Sequence, residues 1–101
     1  MKVRYLRGAL RNIDDISRYV REHNPAAAVR IAQRIRQSVA LIAERPNIGK
    51  PGIFPGTREL KLSDLSYRIV YRVTVSNDMD AQLEILRVHH IRRQPPPPDW
   101  A

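Results

Sequence analysis

Two adjacent histidines and a group of basic residues are the parts of this chain whose types best suit chemistry. His89 and His90 lie at the end of an alternating apolar segment, and neighbouring segments carry Arg58, Lys61, Arg68, Arg72 and Arg87. A histidine can act as general base or acid near neutral pH, and an arginine can stabilise the charge of a phosphorane. Together these residue types could cleave RNA by activating a ribose 2′-OH.

Each of these residues also has a structural interpretation, which the sequence leaves open. His89 and His90 could be ordinary residues of a strand end, and Arg58 could anchor a loop carbonyl or a carboxylate. Arg68 and Arg72 share one strand face and could be solvated, whereas Arg87 could belong to a buried salt bridge. The chain has no cysteine, and its His, Asp and Glu residues do not have the spacing of metal ligands. We expect no metal and no cofactor.

The charge of the chain is strongly positive and unevenly distributed. The 101 residues include 18 Lys and Arg against 10 Asp and Glu, a formal net charge of +8. Residues 1–50 contribute +7 and residues 51–101 only +1. Such a basic half suits nucleic acid, a ribosome or an acidic protein, or it is a solvated surface. A plain nucleic-acid-binding module that contacts phosphates through Arg30, Arg34 and Arg36 is one alternative, although no aromatic-and-basic binding motif is visible.

Two amphipathic helices are predicted in the first half of the chain. Residues 2–6 alternate between polar and apolar, as in a short strand, and Gly8 is expected to end it. Apolar residues at helical spacing then predict one helix over residues 9–22 and a second over residues 25–44. Asn24 is a suitable N-cap and Pro25 suits the first helical position, so the two helices should fold back as an antiparallel hairpin.

Three strands are predicted in the second half, over residues 57–62, 67–73 and 82–90. The loop before them, residues 45–56, contains three prolines and three glycines. Ile48, Ile53 and Phe54 are expected to pin this loop to the core. Ser76-Asn77-Asp78 is typical of a hairpin turn between the last two strands.

The last strand carries apolar residues on both faces, which indicates a central position in the sheet. Strict alternation places Leu83, Ile85, Arg87 and His89 on one face, and Glu84, Leu86, Val88 and His90 on the other. The order β-α-α-β-β-β predicts an α+β fold, with the helical hairpin packed on one face of a small, mostly antiparallel sheet. Residues 1–93 form a single domain in this interpretation, and residues 94–101 form a proline-rich tail. The order leaves the neighbour of the first strand open.

Six segments carry a further signal. They are Ala9…Asp14-Asp15-Ile16…Tyr19-Val20, Asn24-Pro25-Ala26-Ala27-Ala28, Ile42-Ala43-Glu44-Arg45-Pro46-Asn47-Ile48-Gly49-Lys50, Gly56-Thr57-Arg58-Glu59-Leu60, Tyr67-Arg68-Ile69-Val70-Tyr71-Arg72-Val73 and Glu84-Ile85-Leu86-Arg87-Val88-His89-His90. In this order and spacing they resemble the RelE/ParE toxin superfamily, and the ParE branch most closely. The resemblance implies a RelE/ParE-like fold and the cytoplasmic toxin of a bacterial type II toxin–antitoxin, or plasmid stabilisation, system. It also implies a cognate antitoxin, bound in a heterotetramer or larger complex.

The superfamily implies two different targets. ParE-like members poison DNA gyrase by binding, whereas RelE-like members cut mRNA on the ribosome. The ending His90-Ile91-Arg92-Arg93-Gln94-Pro95 resembles the ParE pattern His-x-Arg-Arg-x-Pro, and no tyrosine follows His90 as it does in several nuclease members. We therefore expect a gyrase poison with no catalytic residues. The alternatives are a degenerate member that only binds its antitoxin, and a ribosome-dependent endoribonuclease with the catalytic residues His89, His90, Arg58, Arg68 and Arg87.

Two surfaces are expected from the resemblance. The target-binding surface should include Arg58, Arg68, Arg72, His89, His90, Arg92 and Arg93. The antitoxin-binding surface should lie on the helical hairpin and include Ile16, Tyr19, Val20, Ile31, Arg34 and Ile35.

Overall fold

The computed structural model describes residues 1–92, so Arg93 and the proline-rich tail lie outside the described residues. The elements are β1 (Lys2–Tyr5), α1 (Arg7–His23), α2 (Pro25–Glu44), β2 (Lys50–Pro51), β3 (Arg58–Leu62), β4 (Tyr67–Val75) and β5 (Ala81–His90). The helical hairpin packs on one face of a five-stranded sheet, which confirms the predicted α+β class. The sequence does not predict β2, because two residues are too few to show an alternating pattern.

The two helices form where the sequence predicts them, because Asn24 and Pro25 separate them. The Asn24 side chain accepts a hydrogen bond from the Ala27 amide (3.1 Å), and Pro25 occupies the first turn of α2. Contrary to expectation, Gly8 does not follow β1 as a break but lies within the first turn of α1. A Cβ at Gly8 would overlap a guanidinium nitrogen of Arg87, so any larger residue would displace that buried side chain.

The strands are arranged in the order β1-β5-β4-β3-β2. β1 pairs with β5 in parallel, and the remaining neighbours are antiparallel. β5 is therefore an inner strand, flanked by β1 and β4, as the apolar residues on both of its faces indicated, although β4 is the central strand of the five. The hairpin turn between β4 and β5 is also confirmed: the Met79 amide donates to the Ser76 carbonyl (2.8 Å), and the Ser76 amide donates to the Asp80 carbonyl (3.0 Å).

A bulge in β5 overturns the strict alternation expected for that strand. Val70 of β4 lies opposite Arg87 and Tyr71 lies opposite Ile85, so Leu86 is an extra residue with no partner of its own. The residues after Leu86 consequently change faces. Val88 joins Leu83 and Ile85 in the core against the helices. The prediction that Val88 and His90 lie opposite Leu83 and Ile85 is therefore wrong.

The core lies between the two helices and the sheet. Ile35, Val39 and Ile42 of α2 pack against strand residues that include Ile69 and Tyr71. Ile48 and Ile53 do not pin the loop before β3 as expected, since they are 39% and 66% exposed, whereas Phe54 is half-buried. The apolar type of a loop residue does not show whether that residue is buried. The loop is held instead by hydrogen bonds between its backbone and the Tyr71 side chain of the core.

Candidate binding surfaces

A cleft of about 440 Å³ opens between α1 and the C-terminal end of β5. Its lining residues are Asn12, Asp15, Ile16, Tyr19, Tyr67, Val88, His89 and His90. The Val88 amide donates to the Asn12 side-chain oxygen (3.0 Å), which ties α1 to the edge of β5 beyond the end of β1. An apolar and aromatic lining with a few polar groups is typical of a surface that accepts a small molecule or a partner's side chain.

His90 lies in this cleft with its tautomer defined by a backbone contact. Its Nδ1 accepts a hydrogen bond from the Arg92 amide (3.1 Å), and its ring meets Tyr67 edge-on with centroids 5.7 Å apart. Because a backbone amide can only donate, the neutral ring carries its proton on Nε2. The one free lone pair of the ring is thus already engaged, and His90 is arranged as a hydrogen-bond donor rather than as a general base.

The sheet face away from the helices carries arginines that are paired with carboxylates. Arg68 donates to Glu59 (3.0 Å) and also to the carbonyl of Ile91. Arg72 donates to Glu84 (2.7 Å). The Arg68 and Glu59 side chains are only 14% and 11% exposed, so water screens their attraction weakly. The two pairs neutralise most of the positive charge that Arg68 and Arg72 bring to this face.

The residues of the nuclease hypothesis are not brought together around one site. His89 and His90 both line the cleft, and His89 lies opposite Arg68 in the sheet. Arg58 lies at the start of β3, where it bonds a loop carbonyl, and Arg87 is buried beside α1. Acid, base and free cation would have to surround a single phosphate for RNA cleavage, and this arrangement does not provide that.

Tyr71 and Arg58 hold the loop between α2 and β3. The Tyr71 hydroxyl donates to the Pro46 carbonyl (2.6 Å) and accepts from the Gly49 amide (2.9 Å). Arg58 donates to the Gly49 carbonyl (2.8 Å), which is the structural role that its sequence position suggested. Burial raises the pKa of Tyr71, while the Gly49 amide and the charge of Arg58 oppose that rise. A second pocket of about 190 Å³ beside this loop is lined by both Arg58 and Arg72.

The comparison with protein families decides which family the chain belongs to. A family model described as the ParE toxin of the type II toxin–antitoxin system parDE matches residues 3–95. The chain belongs to the ParE toxin family. It is 39% identical over 95 residues to the protein named "Putative toxin Y4kP" of Sinorhizobium fredii, and the match covers 94% of this chain and 93% of that protein.

Solved structures of toxin–antitoxin systems share the fold. The chromosomal ParDE system of P. aeruginosa contains a chain that matches with a TM-score of 0.79 and 24% identity, over 91% of this toxin and 97% of that chain. The E. coli RelBE complex contains one that matches with a TM-score of 0.60 and 20% identity, over 91% and 98% of the two chains. The superfamily and the ParE branch indicated by the sequence are thus confirmed.

The antitoxin-binding residues predicted for this ParE-family toxin differ widely in exposure. Tyr19 is 68% exposed, and Ile16, Val20 and Ile31 are partly exposed along the hairpin. Arg34 is held by Asp64 (3.1 Å) and contributes little free charge. Ile35 is the exception: it is 1% exposed, so it belongs to the core and its prediction as a contact residue is wrong.

Three exposed apolar residues of the hairpin are missing from that prediction. Leu10 is 54% exposed, Val29 is 58% exposed and Leu41 is 37% exposed. Each lies off the apolar stripe that faces the core, and this position could have identified it from the sequence as an exposed residue. An apolar residue on the outer face of a helix indicates a surface for a partner when several occur together.

The remaining predicted target residue within the described part of the toxin is Arg92, which is exposed just after β5. Arg93 lies outside the described residues. Within residues 1–92, no group of three His, Asp or Glu side chains could hold a metal ion. No helix in that same range is long and apolar enough to span a membrane.

Proposed function

We propose that this ParE-family toxin poisons DNA gyrase in the cytoplasm by binding it, and that an antitoxin encoded beside it neutralises it. The family and the ParE-like ending at residues 90–95 support gyrase as the target. The observation that carries a binding mechanism is the pairing of Arg68 with Glu59 and of Arg72 with Glu84. A phosphate at either arginine would compete with a carboxylate that is already in place.

The antitoxin surface we propose is the cleft together with the outer side of the hairpin. Five exposed arginines of the two helices form no salt bridge within residues 1–92, and they are Arg7, Arg11, Arg21, Arg30 and Arg36. An antitoxin arm with acidic and apolar residues matches this surface. Opposite charge would speed association, and contacts with Tyr19 and Val29 would slow dissociation.

The experiment that tests the target compares two activities of the purified toxin. The first is gyrase supercoiling with accumulation of cleaved DNA, and the second is mRNA cleavage on translating ribosomes. The double variant Arg92→Ala/Arg93→Ala should lose gyrase poisoning while its melting temperature stays unchanged. His89→Gln and His90→Gln should have smaller effects on poisoning, since binding requires no proton transfer.

The matched control is Arg7→Ala/Arg11→Ala, which removes the same charge from exposed positions at the start of α1. It should poison gyrase as the wild type does. The nuclease alternative draws support from His89, which lies opposite Arg68. That alternative predicts the reverse ranking, with a loss of about 10²–10⁴-fold in mRNA cleavage on changing a histidine. A stable Arg92/Arg93 double variant that remains fully toxic to gyrase would overturn the proposed binding site.

A further inference from the structure

Within residues 1–92, the outer edge of β4 has no neighbouring strand along its last four residues. β3 begins at Arg58, which lies opposite Tyr71, and β4 continues to Val75. β2 pairs only with β3, so it does not cover this stretch either. Residues 72–75 of β4 therefore pair with β5 on one side alone.

The hairpin turn shows which backbone groups point outward from that edge. The Ser76 amide donates to the Asp80 carbonyl across the hairpin, so Ser76 faces β5. The direction of the backbone N–H and C=O groups alternates along a strand. The backbone groups of Arg72 and Thr74 therefore point towards β5 as well, whereas those of Val73 and Val75 point away from it. No loop hydrogen bond within residues 1–92 involves the backbone of Val73 or Val75. Two amides and two carbonyls are thus available for pairing with an additional strand.

This edge lacks the residues that protect the other two sheet edges from added strands. β1 carries Lys2 and Arg4, and β2 consists of Lys50 and Pro51. Lysine and proline are residues that discourage edge pairing. Val73 and Val75, in contrast, are 42% and 63% exposed and would contact alternate side chains of an added strand.

A positively charged pocket lies at the inner end of the same edge. Arg58, Arg72 and Val73 are among the residues that line the 190 Å³ pocket, and none of its lining residues is acidic. Arg58 bonds one carbonyl, and no salt bridge neutralises it among the described residues. Its remaining N–H donors suit a carboxylate. The pocket and the open edge together match an extended segment that carries an acidic side chain.

We propose that an extended acidic segment of the antitoxin adds to the sheet as a strand along residues 72–75 of β4 and places a carboxylate beside Arg58. Backbone pairing with Val73 and Val75 supplies affinity, and the Arg58 pocket selects an acidic residue. The inference rests on the proposed antitoxin partner and specifies where its arm reaches the sheet.

Amide hydrogen exchange, resolved residue by residue by NMR, tests the proposal on the co-expressed toxin–antitoxin complex and on the free toxin. Exchange at Val73 and Val75 should slow at least about tenfold in the complex. Arg72 and Thr74, whose amides already bond to β5, should change much less. This alternation distinguishes strand addition from general shielding of the surface.

A pair of matched variants provides an independent measurement of antitoxin affinity. Val75→Asp places a negative charge on the edge and should weaken binding by roughly tenfold. Ile53→Asp introduces the same charge in place of an apolar residue at a site of similar exposure (66%) that lies outside the pocket and the hairpin, and it should change affinity by less than about twofold.

The outcomes separate this inference from the proposed partner. A complex that forms without added protection at Val73 and Val75 overturns the docking edge and leaves the antitoxin proposal standing. Failure of the two proteins to form any complex overturns the proposed partner and this occupant with it. Protection that grows with the concentration of the toxin alone means that a second copy occupies the edge, which also overturns the proposal.

Discussion

Replacing Tyr71 by phenylalanine should destabilise the toxin far more than the loss of one oxygen atom suggests. The hydroxyl makes two hydrogen bonds, to the Pro46 carbonyl and from the Gly49 amide, at 2.6 and 2.9 Å. The Tyr71 side chain is fully buried, and Gly49 is buried as well. Phenylalanine fills the same space but leaves a buried amide and a carbonyl without this partner.

The expected cost follows from those two contacts. A net hydrogen bond contributes about 1 kcal/mol, and a buried group left unsatisfied costs about 1–3 kcal/mol, so we expect a total loss of about 2–3 kcal/mol. A domain of this size has roughly 5–15 kcal/mol of stability. The melting temperature should therefore fall by about 10–15 °C.

Urea unfolding followed by circular dichroism measures this change, with Tyr19→Phe as the matched control. Tyr19 is 68% exposed, so removing its hydroxyl should change the free energy of unfolding by less than about 0.5 kcal/mol. Exchange of the Gly49 amide should also accelerate in Tyr71→Phe. A Tyr71→Phe protein as stable as the wild type would refute the conclusion that this hydroxyl holds the loop between α2 and β3.

Two further predictions concern the same scaffold. Burial raises the pKa of Tyr71 above its ordinary value of 10.0, so its contribution to stability is complete below pH 10 and is lost as the pH rises through the raised value. Unfolding free energies measured from pH 9 to 11 should fall less steeply in Tyr71→Phe than in the wild type, and equal slopes would contradict this assignment. Asn12→Ala should cost about 1–2 kcal/mol and accelerate exchange at Val88, because the Val88 amide donates to the Asn12 side chain. The exposed Asn47→Ala serves as its control, and an equal loss in both variants would argue against the tie between α1 and β5.

The helical hairpin and the central strands could be predicted from the sequence because their determinants are local. Apolar spacing shows each helix, Asn24 and Pro25 separate them, and alternation marks the strands around Tyr67 and Val73. The six segments in order were sufficient to indicate the ParE branch.

Contacts between distant segments decided the rest. The parallel pairing of β1 with β5 joins the two ends of the described chain, and no local pattern encodes it. The bulge at Leu86 depends on how β5 pairs with β4, and it turns Val88 towards the helices, so that Val88 joins the core with Leu83 and Ile85. Whether an arginine is free or paired depends likewise on its cross-strand neighbours. Glu59 lies on β3 and Arg68 on β4, so only the assembled sheet could show that this cation is neutralised.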